Sequence, residues 1–430
     1  MPKITNHKSF RFVQIRDGIS EYVHKGNGLR VLVYEDHSAP VVALNVTYLV
    51  GSRNEAVGHT GATHLLEHLM FKGSRKFNKK NGKGIWSYLG GTGAHMNATT
   101  WFDRTNYYEL LPLAHIEKAL DVESDRMRNS FILEADRKSE MTVVRNEFEW
   151  NENEPIEALH KQVWASAFQF HPYGTLTIGL KSDIENVSIE RLQEFYKTFY
   201  WPNNAYVTLS GDITNKRALE LVDKYFGKHK SAPHKIPIMY TQEPAQEGER
   251  HVTVRRAGEV GIVTIAHKVP NALDQDIFAL DILAGVLGKG RSSRLYRALA
   301  DKGLVSRAST SNNAFHDGGL FITDAFVAKN VTHERIEKII LDEYEKIISK
   351  GITDSELERE KYNTEVMIAT SRDGALGVVE VLNETIASGD WTLYVGYLDE
   401  IKKVTKENVQ NMAKKYLVND QSTTGYFIPK

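Results

Sequence analysis

The 430 residues exceed what one ordinary hydrophobic core holds, so two or more domains are expected. A hydrophobic content of 41% and a charged content of 25% are those of a soluble globular chain, and 54 basic against 55 acidic side chains leave a net charge of -1, which excludes nucleic-acid binding through bulk charge. With no cysteine, disulfides, thiolate metal sites and a cysteine nucleophile are all excluded.

The N-terminal "MPKITNHKSFRFVQIRDGI" lacks the apolar core of a signal peptide. No apolar run approaches the ~18 residues needed to span a bilayer. The chain as written reads as soluble, and an extracytoplasmic location, such as the periplasm, stays compatible with it if a leader has been removed. "LRVLVYEDHSAPVVALNVTYLVGS" predicts two strands joined by a turn at 37–40. A helix follows over "HTGATHLLEHLMFKGS", then a Gly- and Lys-rich connector (72–84), read as a surface loop, and a short helix around 85–89. "GAHMNATTWFDRTNYYELLP" predicts a β-hairpin with its polar bend near Asp103 and Arg104. Helices are expected at about 115–130, 135–151 and 189–200, the last leading into the strand "AYVTLSG".

Residues 231–250 hold three of the eleven prolines and little periodicity, as an interdomain linker would. The pattern then recurs: a strand "VGIVTIAHKV", a helix near 276–287 and a hairpin around "NNAFHDGGLFITDAFV". "SDIENVSIERLQEFYKTFYWPNNAYVTLSG" from Ser182 resembles "DEIKKVTKENVQNMAKKYLVNDQSTTGYFI", which starts 217 residues later at Asp399. Ser188 and Thr405 stand at matching N-cap positions, and Phe195 and Phe199 match Met412 and Tyr416 on the expected buried face. The expectation is a duplicated α+β unit: 1–230, a linker over 231–250, and 251–430.

His64 and His68 lie at i and i+4, so both imidazoles leave one face of the helix, with Glu67 beside them. Hydrolytic zinc takes three protein ligands, typically two His and a carboxylate, and a nearby carboxylate outside the ligand set can take the proton of its water. The order His-x-x-Glu-His is the inverzincin signature. The competing reading is a hydrogen-bonded core pair beside a surface acid.

A third ligand must come from elsewhere. In "EADRKSEMTVVRNEFEWNENEP", Met141, Val144 and Phe148 form an apolar stripe, and Glu140 and Glu147 lie along it. Glu147 could reach a metal and Glu140 the second nitrogen of a ligand imidazole; buried ion pairs with Arg are the alternative. Glu149, Glu152 and Glu154 read as solvated acids. The strand 94–100, freed by Gly90, Gly91 and Gly93, could pair an extended peptide by β-augmentation, with Asn97 adding a side-chain hydrogen bond and His95 facing substrate.

"HLLEH" followed by "MFKGS", then "GAHMNATT" and "EMTVVRNEFEWNENEP", together resemble the pitrilysin/insulinase-type metallopeptidases, which include mitochondrial processing peptidase. The resemblance covers nearly the whole chain. It implies two homologous α+β domains, antiparallel-rich mixed sheets covered by helices, forming one half of a clamshell around a peptide chamber. It further implies one Zn2+ per chain on His64, His68 and Glu147, Glu67 as general base for the zinc-bound water, and Glu140 as the supporting glutamate. Asn97, with Ala98 beside it, is the implied substrate-binding position.

One stretch departs from the family. Many members carry Arg and Tyr in a segment like R-x-x-x-G-L-A-Y, where this chain has "LYRALADKGLVSRAST". Ser306 stands at the tyrosine position, and the arginine position falls at Leu299 or Ala300. Such groups would stabilise the oxyanion of a tetrahedral intermediate. The implied partner is therefore a homologous subunit or half that supplies them, with a homodimer as the other arrangement. The expected function is a zinc endopeptidase acting on extended peptides or unfolded proteins, with no nucleic-acid partner and no membrane span. The alternatives are a non-catalytic peptidase-like scaffold or assembly subunit, which would be expected to have lost ligands or base, and a non-proteolytic zinc hydrolase.

Overall fold

In the computed structural model, which describes residues 5–430, the α+β composition expected from the sequence is realised as two sheets, each covered by helices. The first part of the chain supplies β1 (Phe10–Arg16), β2 (Ile19–His24), β3 (Arg30–Glu35), β4 (Val41–Tyr48), α1 (Ala62–Leu69), α2 (Ile85–Gly90), β5 (His95–Thr100) and β6 (Thr105–Pro112). There follow α3 (Ile116–Asn129), α4 (Glu134–Asn153), α5 (Pro155–Ala167), α6 (Lys181–Asn186), α7 (Ile189–Phe199), β7 (Ala205–Gly211) and α8 (Asn215–Phe226). After a stretch without helix or strand, β8 (Arg250–Arg256), β9 (Gly261–Val269), α9 (Asp276–Gly288), β10 (Val305–Phe315) and β11 (Gly318–Val327) are formed. The chain ends with α10 (His333–Lys350), α11 (Asp354–Ser371), α12 (Gly374–Ser388), α13 (Thr392–Lys403), α14 (Lys406–Tyr416) and β12 (Ser422–Pro429).

The first sheet runs β1-β2-β3-β7-β4-β6-β5 and the second β10-β11-β9-β12-β8. Although β3 and β4 are joined by a short turn, they do not pair with each other. β7 lies between them, parallel to β3 and antiparallel to β4, and all seven of its residues are buried. β12 repeats this placement, parallel to β8 and antiparallel to β9.

Two compact units result, and neither is continuous in sequence. The first runs to Asn146 and adds 177–240 and 370–395; the second comprises 147–176, 241–369 and 396–430. Within the first unit α12 covers the sheet, where Val378, Leu382, Ile386 and Trp391 pack on Ile19, Leu32 and Tyr206. Trp391 Nε1 donates to Glu21 Oε2 at 2.9 Å, and Thr47 Oγ1 donates to Asn383 Oδ1 at 2.7 Å. Within the second unit α5 performs the same task against β12, β8 and β9. A Cβ on Gly425 of β12 would come within 2.6 Å of Val163 and 2.9 Å of Leu159, so the glycine is what lets α5 lie this close.

Several local expectations are met and others corrected. Ser188 and Thr405 accept from Arg191 N and Asn408 N as N-caps of α7 and α14. The buried face of these helices, however, is Leu192, Tyr196 and Phe199 in one and Val409 and Ala413 in the other. Phe195, Met412 and Tyr416 are only half-buried. The bend between β5 and β6 is polar but not solvated: Asp103 pairs with Arg53 at 3.2 Å, and Arg104 with Glu384 at 3.0 Å. The helices α5 and α8 were not among the expected elements, although Pro155 in the first turn of α5 and Thr214, which accepts from Arg217 N as N-cap of α8, are start signals. No helix among the described residues is long and apolar enough to cross a membrane.

Candidate metal centre

α1 begins at Gly61, whose φ of 83° is a left-handed conformation suited to glycine, and runs for eight residues. Leu65, Leu66 and Leu69 are fully buried and fix the helix against the unit's interior. His64 and His68 therefore share the opposite edge, with ring centroids 4.9 Å apart and planes at 85°. Burial, with a contribution from neighbouring His68, pushes the His64 imidazole down to about 3. It is thus neutral at physiological pH, the form in which imidazole binds metal.

Glu147 of α4 joins the pair: one ligand atom each from His64, His68 and Glu147 all lie within 4.8 Å of one another. Among the described residues this is the one such group of three. Ligands at zinc–nitrogen and zinc–oxygen distances of roughly 2.0–2.2 Å sit about 3.4 Å apart in a tetrahedron. Two imidazoles and one carboxylate match both the donor chemistry and, after a modest contraction, the size that a hydrolytic zinc site needs.

Glu140 lies two turns before Glu147, roughly 10 Å away along the helix axis, and so serves a different group. Its Oε2 is 3.3 Å from His68 Nδ1, and its Oε1 is paired with Lys72 Nζ. A carboxylate on Nδ1 leaves Nε2 as the nitrogen available to a metal. Lys72 stands in the turn that follows α1, outside the helical period, so the spacing of the helix did not point to it. Glu67 is buried at 8% exposure and accepts from Thr100 Oγ1 at 2.6 Å through Oε2. Of the acids read as solvated, Glu152 is instead engaged, with Lys161 and with Arg256 at 2.8 Å.

Against the first sheet, α3 supplies a buried cation. Arg126 is 1% exposed, lies over the rings of Tyr107 (4.2 Å) and Phe71 (4.8 Å), and pairs with Glu109 at 3.3 Å and with Glu123. Tyr107 in turn donates to Met70 Sδ at 3.2 Å, next to the end of α1. Nothing in the local pattern of α3 marked Arg126 for this position.

β5 is the edge of the first sheet and alternates cleanly: His95, Asn97 and Thr99 are exposed, Met96 and Ala98 buried. Trp101 N donates to Arg104 O at 2.9 Å, which makes that pair hydrogen-bonded. Alternation then turns the backbone groups of Met96, Ala98 and Thr100 away from β6, toward the open edge. Ala98 thus presents its main chain to the edge while its methyl faces inward. Asn97 is within hydrogen-bond reach of the Tyr108 hydroxyl. In the second unit, Leu299 is fully buried and Ser306 is exposed on β10.

Residues 30–180 match the family model described as insulinase (peptidase family M16), and residues 186–363 the one described as peptidase M16 inactive domain. The zinc protease PqqE of Helicobacter pylori is 31% identical over 414 residues, covering 95% of this chain and 93% of that protein. A crystal structure of a protease from Helicobacter pylori superposes with a TM-score of 0.91 at 29% identity, over 96% of this chain and 100% of that one. The fold is also that of the first half of the periplasmic protease PqqL from Escherichia coli, with a TM-score of 0.77 at 16% identity. This chain spans 93% of that half and 48% of the whole PqqL chain. The protein belongs to the insulinase family of peptidases, family M16.

Proposed function

We propose that the protein is a zinc metalloendopeptidase that cleaves extended peptide segments, with His64, His68 and Glu147 holding one zinc ion. The observation that carries this reading is the compact His-His-Glu donor set with a separate buried carboxylate, Glu67, on the same helix. A zinc ion bound there supplies Lewis acidity and makes a water acidic enough to act as a nucleophile near neutral pH. Glu67 acts as general base: with Oε2 held by Thr100, its Oε1 takes the proton of the attacking water and returns it to the leaving amine. Glu140 positions His68 through Nδ1. The substrate main chain pairs with the open edge of β5 at Ala98, and Asn97 contacts it from the exposed face.

The two halves, 1–230 and 251–430 with 231–250 as linker, are read as copies of one α+β unit. A second half, from another subunit or another copy, completes the chamber and brings the Arg and Tyr that Leu299, Ala300 and Ser306 do not provide. Coverage of about one half of the PqqL chain supports this arrangement. The test is Glu67→Gln: zinc content should stay at one per chain while cleavage of a quenched peptide falls by roughly 10³-fold or more, as expected for loss of a general base together with its charge. Undiminished cleavage would remove Glu67 from this role. Turnover by the purified chain alone, at the rate of a reconstituted pair, would remove the need for a second half.

A further inference from the structure

α1 is short for the precision asked of it. Eight residues, roughly 12 Å long, form a helix that is marginal by itself, so its start has to be fixed from outside. Its N-cap residue is a glycine, and no side chain of its own caps the first turn. His64 sits in that turn, where fraying of the orphan N–H groups would move it most.

Glu55 fills this gap. It lies just past the short turn Ser52–Asn54 and folds back over the loop, so that Oε2 accepts from Gly61 N at 2.8 Å and Oε1 from Thr63 N at 2.7 Å. One carboxylate thus straddles the first turn and ends one residue before His64. Burial raises this carboxyl to about 7, while its hydrogen bonds from Thr63 and Gly61 pull the other way. The intervening loop is pinned separately: Asp183 Oδ2 accepts from Gly58 N (3.0 Å), Thr60 N (3.1 Å) and Thr60 Oγ1 (2.8 Å). Behind Gly61 there is no room to retreat, since a Cβ there would meet Ile178 O at 2.7 Å.

We propose that Glu55 is a positioning residue for the metal centre: by clamping the amides of Gly61 and Thr63 it sets the start of α1, and with it the placement of His64 relative to His68. This rests on the metal reading given above. Removing the clamp lets the first turn fray and leaves His68 held by Glu140 but His64 displaced. A cap with only a structural role would affect stability and leave metal affinity alone.

The experiment compares the full chain with Glu55→Gln, Glu55→Ala and Thr332→Ala, the last deleting the N-cap of α10 far along the chain. Zinc affinity is read by competition with a chromophoric chelator, cobalt substitution by its d–d spectrum, and stability by thermal melting. Glu55→Ala should weaken zinc binding by about 10–100-fold and alter the cobalt spectrum, the range seen when groups that orient metal ligands are lost. Glu55→Gln, which keeps the bulk and one carbonyl acceptor, should fall between it and the parent. Thr332→Ala should lower the melting temperature with unchanged zinc affinity. Equal zinc affinity in the parent and both Glu55 variants would overturn the positioning role while leaving the metal centre standing. A parent chain that binds no zinc would overturn both.

Discussion

The two units share a five-stranded core, β3-β7-β4-β6-β5 in one and β8-β12-β9-β11-β10 in the other, with the same parallel and antiparallel steps. In each, a helix follows the central strand of this set: α1 comes after β4 and α9 after β9. Each such helix touches a glutamate on a later helix. His68 of α1 meets Glu140, whereas a Cβ on Gly285 of α9 would lie 2.5 Å from Glu360 Oε2. Taking Gly285 as the counterpart of His68 places Asp281 against His64 and Ala284 against Glu67, and seven residues beyond Glu360 stands Met367, against Glu147. Asp281 is satisfied internally, by Tyr397 and by Asn312 Nδ2 at 2.8 Å. Of 13 residues in α9, 11 are buried. The same helix arrangement therefore serves as scaffold around α9 and as a proposed site around α1, and four side chains make the difference.

Exchanging residues between the units tests that comparison most strongly. Glu147→Met, which installs the counterpart residue, should abolish stoichiometric zinc binding and reduce peptidase activity by roughly 10³-fold or more, measured by metal analysis and a quenched peptide. Glu149→Ala should leave both unchanged; full zinc occupancy in Glu147→Met would break the equivalence. Next in size is the contact of the exchanged helix α12 with the first sheet. Leu382 is fully buried, and Leu382→Ala should cost about 2–5 kcal/mol in denaturant unfolding. A loss below 1 kcal/mol would mean that α12 is not part of that core.

The reverse exchange is smaller. Gly285→Ala sets a methyl against Glu360 and should destabilise the chain by about 1–3 kcal/mol, as overpacking does, without touching zinc binding. The least effect is expected where α5 meets the second sheet through His160 and Asp324, 2.9 Å apart. Burial pulls the His160 imidazole down, but the hydrogen bond and charge of Asp324 outweigh it and leave it raised. A raised folded value means a contribution to stability that is complete below the ordinary histidine value, about 6.5, and lost as pH rises through the folded one. The melting-temperature gap between the parent and His160→Gln should therefore shrink from pH 6 toward pH 9; a gap independent of pH would exclude the charged pair.

How far the sequence carried depended on whether the information was local. The spacing of His64 and His68 and the N-caps Ser188 and Thr405 follow from the 3.6-residue period and from the orphan amides of a first turn, so a linear reading reaches them. Strand alternation likewise puts Asn97 outward and Ala98 inward. Among five acids in the region from Glu140 to Glu154, the apolar stripe Val144–Phe148 separated Glu140 and Glu147 from the rest, but it gave no sign that Glu152 was paired with Arg256.

Tertiary structure alone decided the remainder. β7 enters between two strands adjacent in sequence, α5 and α12 each cover the sheet formed by the other half of the chain, and Arg126, Lys72 and Glu55 take up posts around α1. Each is a choice among many partners with similar side chains. What selects one is the area buried and the polar groups satisfied when the whole chain is folded, and neither quantity is written in the spacing of neighbouring residues.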